Sequence, residues 1–96
     1  MKITTEKNGD TLIVRLSGRL DTTTAPELEQ FLDGCGESAL TLDFSDLSYI
    51  SSAGLRVLLK THKRLIRGGS MKLVGVCAEI QEIFDMTGFS DILTIE

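Results

Sequence analysis

Two adjacent hydroxyls, Ser51 and Ser52, stand directly before Ala53-Gly54-Leu55, downstream of the carboxylates Asp43 and Asp46. A serine where a helix begins has two uses. Its oxygen can accept one of the N–H groups that the first turn leaves unpaired. It can also carry a phosphoryl group, because free N–H groups and the positive end of the helix dipole favour an anion there. The small residues at 53 and 54 leave that end unobstructed. Catalysis by the same serine would need a base within hydrogen-bond reach. The single histidine, His62, lies two turns or more further along the helix, and no GxSxG elbow is present, so the sequence argues against a serine hydrolase.

Other chemistry is thinly represented. Asp21, Asp43 and Asp46 stand at the C-terminal ends of predicted strands, where the ligands of open α/β sheets collect, and carboxylates there can hold magnesium. No glycine-rich phosphate cradle with a Lys-Ser/Thr pair accompanies them, so we read them as turn formers and expect neither a metal nor a cofactor. Cys35 and Cys77 stand in no CxxC spacing and read as free, buried thiols.

The elements that must position Ser51 and Ser52 follow from hydrophobic periodicity. Ile3 to Lys7 reads as an edge strand, and Asn8-Gly9 as a type I′ hairpin turn into Leu12–Ser17, where Leu12, Val14 and Leu16 alternate with Ile13, Arg15 and Ser17. Thr24-Ala25-Pro26-Glu27 has capping-box spacing with proline in the first turn. The helix it opens carries Leu28, Phe31, Leu32 and Cys35 at i, i+3, i+4 and i+7 before Gly34 and Gly36 break it. Ala39 to Phe44 is a strand, followed by an acidic loop. Leu55, Leu58, Leu59, Leu65 and Ile66 then form the apolar side of a helix ending at Gly68-Gly69. Met71 to Val76 is a strand and Ala78 to Thr87 a helix, with Gly88 at C′ and Phe89 placed to pack on Phe84. Ile92 to Ile95 is a short last strand.

The order is β-β-α-β-α-β-α-β, an α/β fold with a mixed, mainly parallel sheet. The alternation within the strands predicts helices mainly on one face. At 96 residues and 42% apolar content the chain fits one domain, residues 1–96. No apolar run approaches a membrane span and the start lacks a signal-peptide core, which leads us to expect a cytoplasmic protein without membrane insertion. A net charge of -4 opposes nucleic-acid binding. Half of the Lys and Arg residues, Arg56, Lys60, Lys63, Arg64 and Arg67, fall in one helix, which reads first as a solvated face.

Three stretches, in order, resemble the STAS-domain anti-sigma factor antagonist family. Leu16-Ser17-Gly18-Arg19-Leu20-Asp21 is similar to its Gly-x-Leu-Asp strand end. Asp46-Leu47-Ser48-Tyr49-Ile50-Ser51-Ser52-Ala53-Gly54-Leu55 is similar to its signature, and Phe84-Asp85-Met86-Thr87-Gly88-Phe89 to its third-helix ending. The resemblance implies a single STAS domain that is not an enzyme. It implies binding to an anti-sigma factor serine kinase, release of a sigma factor, and a switch in which that kinase phosphorylates Ser52 and a serine phosphatase restores the binding form. It also implies a partner-facing surface of Asp21, Thr22, Asp46, Ser51, Ser52, Ala53, Gly54, Leu55 and Arg56. Where the family's best-known regulatory members carry an aspartate before the target serine, this chain has Ser51, which leaves two alternatives open: Ser51 as a second candidate acceptor, or an unphosphorylated site in a constitutive interaction module. Two other readings remain open at this point: a non-switching accessory subunit of an ABC-type lipid transport complex, and a sensor that binds an anion at the Ser52 helix start.

Overall fold

Alternating apolar residues build one five-stranded sheet in the order β1-β2-β3-β4-β5. The structure is a computed structural model that describes residues 1–96. Its elements are β1 (Lys2–Asn8), β2 (Thr11–Leu20), α1 (Ala25–Gly34), β3 (Ala39–Ile50), α2 (Ser52–Leu65), β4 (Ser70–Val74), α3 (Ala78–Thr87), a 3-10 turn at Phe89–Asp91 and β5 (Thr94–Ile95). β1 pairs antiparallel with β2, and every later pair is parallel. Each parallel crossover steps to the next strand in the same direction, so right-handed connections lay all the helices on one face. No helix is long and apolar enough to cross a membrane.

The inward residues of β2 and β3, Val14, Leu16, Leu40, Leu42 and Phe44, meet Leu28 and Leu32 of α1, Leu58 of α2, and Ile80 and Phe84 of α3 in one buried cluster. The opposite face of the sheet is open and polar. Arg15 there lies 3.0 Å from Glu6 and 3.5 Å from Asp43.

The acidic loop expected after Phe44 is strand. β3 continues to Ile50 because two register shifts insert an extra residue each time: Arg15 opposite Asp43 is followed by Ser17 opposite Asp46, and Gly18 opposite Leu47 by Arg19 opposite Tyr49. Phe44, Leu47 and Ile50 are therefore buried at a spacing of three, which a search for alternation cannot recognise. At the first shift the Asp43 carboxylate accepts from Ser45 N at 2.9 Å and from Ser45 Oγ at 2.6 Å, folding the chain over locally. Gly75, at φ +68°, presses against Ser45 so closely that a Cβ would overlap its Oγ, and β4 stops at Val74.

Other boundaries differ for equally local reasons. The first hairpin has Gly9 and Asp10 at its tip, and only Gly9 has positive φ. That excludes type I′, which needs two such residues, and gives the glycine-first pattern of type II′. The capping box at Thr24 does not form: Thr24 Oγ1 instead accepts from Asp21 N and donates to Arg19 O, both at 2.8 Å. Asp21 closes the turn by accepting from Thr23 N and Thr24 N. Ile66 is 67% exposed, outside the apolar face assigned to it, because α2 ends at Leu65. Phe89 stacks on Phe84 as expected beyond the left-handed Gly88, but a 3-10 turn follows and leaves Ile92 exposed and β5 two residues long. Both cysteines are free and only half-buried.

The basic row of α2 is partly structural. α1 has no basic residue in its last turn, and α2 supplies the cations instead. Arg64 Nη2 donates to Leu32 O at 2.9 Å, and Lys60 Nζ reaches Glu29 and Asp33 at 3.0 Å each.

α2 begins hard against the ends of β2 and β3. A Cβ on Gly54 would lie 2.7 Å from Leu20 Cγ and 2.9 Å from Ile50 Cγ1. Gly54→Ala should therefore destabilise the protein by about 1–3 kcal/mol in urea unfolding, against the ~1 kcal/mol gain that the change gives in an open helix. Hydrogen bonds from Thr23 and from Ser45, respectively, hold the Asp21 and Asp43 carboxyls below the usual carboxylate range. A depressed folded pKa stabilises above the unfolded value and is lost as pH falls through the folded one. The urea midpoint should thus drop as pH falls below about 4, and the drop should be shallower in an Asp21→Asn, Asp43→Asn double variant.

Candidate functional site

The adjoining ends of β2 and β3 fix where α2 starts. Leu20 pairs with Ile50, and the next residue, Ser51, donates its N–H to Leu20 O at 2.9 Å. Ser51 has extended backbone, φ −102° and ψ 175°, and its carbonyl accepts from Leu55 N at 3.0 Å, which makes it the N-cap of α2. Its side chain does not act as the cap. Ser51 Oγ is buried and has no hydrogen-bond partner. Ser52 is the first helical residue and is exposed, so it adjoins the cap position without occupying it.

Asp21 follows β2 directly, and the chain enters α1 at Ala25, so the N-terminal ends of α1 and α2 open side by side at one end of the sheet. Between them runs a groove of about 400 Å³, lined by Thr22, Ala25, Pro26 and Glu29 on one side and Ala53, Arg56, Val57 and Lys60 on the other. The structure thus brings Thr22, Ala53 and Arg56 together, with Ser52 beside them.

The remaining residues of the expected surface sit differently. Gly54 is buried and Leu55 is only 8% exposed, so both hold α2 against the sheet and offer almost no contact area. Asp46 lies lower on β3, opposite Ser17, and lines a separate recess with Lys2, Thr4 and Arg15. No group of three or more His, Cys, Asp or Glu side chains is arranged to hold a metal ion. His62 lines a recess with Ser70, Met71 and Thr94 in the last turn of α2, at the opposite end of that helix from Ser52.

One feature of this end was missed in the sequence. Arg19 lies over the Tyr49 ring, 4.2 Å from its centroid, and 3.7 Å from Asp21 Oδ2. The second register shift in β3 is what sets Tyr49 opposite Arg19. The spacing of three in Phe44, Leu47 and Ile50 was the available signal. The positive end of α2 is left without a local anion, since its first turn has no acidic residue.

The STAS domain family matches residues 2–96. An anti-sigma-B factor antagonist of Bacillus subtilis is 32% identical over 98 residues, covering 99% of this chain and 90% of that protein. Among solved structures, an anti-sigma factor antagonist from Mycobacterium paratuberculosis superimposes with a TM-score of 0.90 at 25% identity, over 98% of this chain and 83% of that one. The Bacillus cell fate determinant SpoIIAA, in its phosphorylated form, shares the fold with a TM-score of 0.77 at 18% identity, over 99% and 91%. With the family matched from the first strand to the last, and an antagonist among its relatives over nearly the full length, the chain belongs to the STAS domain family.

Proposed function

We propose that this protein is an anti-sigma factor antagonist: it binds a kinase-type anti-sigma factor, frees the sigma factor, and is switched off when that kinase phosphorylates Ser52. The observation that carries the acceptor assignment is the contrast between the two serines. Ser52 is exposed beside a groove of partner-accessible residues, whereas the Ser51 hydroxyl is buried. A kinase can reach only a hydroxyl that leaves the surface.

In the transfer, Ser52 Oγ attacks the γ-phosphorus of ATP, ADP leaves, and the hydroxyl proton passes to a base on the kinase. The chain is the substrate in this step. A phosphatase returns it by hydrolysing the Oγ–phosphate bond with water. The phosphate adds about 1.5–2 negative charges at the positive end of α2, where the dipole tolerates them, so the helix stays folded and the change is felt at the partner surface. A hundredfold loss of affinity needs about 2.7 kcal/mol. One desolvated phosphate against an unsuitable partner surface is enough to supply that.

The experiment is labelling with the cognate anti-sigma factor and radioactive ATP, followed by binding. Wild type should be phosphorylated once and lose at least tenfold in affinity, and Ser52→Ala should take no label. Ser51→Ala should still be labelled and should unfold within about 0.5 kcal/mol of wild type, because its hydroxyl makes no cap bond and removing a buried unpaired group costs little. Label retained by Ser52→Ala would sink the assignment.

A further inference from the structure

One row of α2 holds Ser52, Arg56, Lys60 and Arg64, each four residues after the last, and its middle members, Arg56 and Lys60, line the groove. That spacing stacks side chains above one another on a helix. Two of the three cations in the row are taken. Lys60 is held by Glu29 and Asp33, and Arg64 by Leu32 O. Arg56 is exposed on the groove wall and has no hydrogen bond or ion pair. The neighbouring carboxylates are committed elsewhere, Glu29 to Lys60 at 3.0 Å and Asp21 to Thr23, Thr24 and Arg19. One turn toward the N-terminus, where an anion for Arg56 would stand, the row holds Ser52.

We propose that phosphoserine 52 is clamped by Arg56 within the same chain, so that the modification both adds an anion and withdraws the one unpaired cation lining the groove. This rests on Ser52 being the acceptor, as proposed above. An acid four residues before a base is the favourable orientation for a helical pair. A guanidinium fork matches two phosphate oxygens, which a lysine cannot do in the same way. The off state then differs from the on state in two respects. The partner meets a negative group at the start of α2, and it loses Arg56 as a donor for its own carboxylates. The switch is thereby an exchange of Arg56 between an intermolecular and an intramolecular anion.

The test uses full-length chain with phosphoserine installed at position 52 during synthesis, so that no kinase is required. Phosphorus NMR then follows the second ionisation of the phosphate against pH. The midpoint in wild type should lie roughly 0.2–0.4 pH units below that of Arg56→Gln, the shift expected of one exposed helical ion pair on a group that ionises near pH 6. The difference should shrink in 1 M salt, and Arg56→Lys should restore part of it. Equal midpoints in wild type and Arg56→Gln would overturn the clamp. So would an equal shift in Lys63→Gln, an exposed cation outside the row, since that would mean a diffuse field and no specific pair. Failure of the kinase to label Ser52 would refute the acceptor assignment alone, because the clamp is measured without the kinase.

Discussion

The contact on which the structure depends is the close approach of α2 to the paired ends of β2 and β3. Gly54 has no room for a side chain between Leu20 and Ile50, and the Ser51 N–H is tied to the Leu20 carbonyl. Together these fix the height at which the helix begins. Because α2 cannot retreat from the sheet, Ser51 is turned inward and Ser52 outward, and the two adjacent hydroxyls acquire opposite environments. The same seating brings Ala53 and Arg56 alongside Thr22 and the first turn of α1. The groove is a consequence of this packing and has no dedicated loop of its own.

That seating relies on a strand that is irregular for a reason. β3 gains two extra residues relative to β2, and beyond Asp43 it no longer pairs with β4. The Asp43–Ser45 hydrogen bonds and the close packing of Gly75 hold the first irregularity. Bulges increase local twist and re-aim side chains. Here they carry Ile50 under α2 while turning Tyr49 out beneath Arg19.

The charges of α2 divide along its length. Toward the C-terminal half, Lys60 and Arg64 are absorbed in holding α1, whose own last turn lacks a cation. The Lys60 ion pairs are exposed, and exposed pairs are worth about 0–1 kcal/mol each, so with the Arg64 hydrogen bond to Leu32 O their effect is chiefly on the relative placement of the two helices. At the N-terminal end the dipole and Arg56 are both uncompensated. Fold maintenance and availability for an anion are thus separated by a single helical turn.

The sequence by itself determined the element order, the mixed parallel sheet and the helices on one face, because period-2 and period-3.6 patterns are strictly local and right-handed crossovers leave one arrangement. It also determined the family, since the Leu16–Asp21, Asp46–Leu55 and Phe84–Phe89 stretches carry it in residue identities. The position of the serines at a helix start was legible for the same reason. What only the tertiary structure decided is anything that depends on two segments meeting. β3 reads as strand followed by loop until β2 lies beside it and shows the bulges. Thr24 reads as a capping residue until Asp21 and Arg19 O take its hydroxyl. The family resemblance puts Gly54 and Leu55 on the partner surface although periodicity already sets Leu55 on the apolar side of α2, and docking on Leu20 and Ile50 decides for the core; Ser51 and Ser52 are chemically identical until that docking buries one hydroxyl and exposes the other. Burial is a property of the packed chain, and no pattern of residues along it states which of two neighbours will face the core.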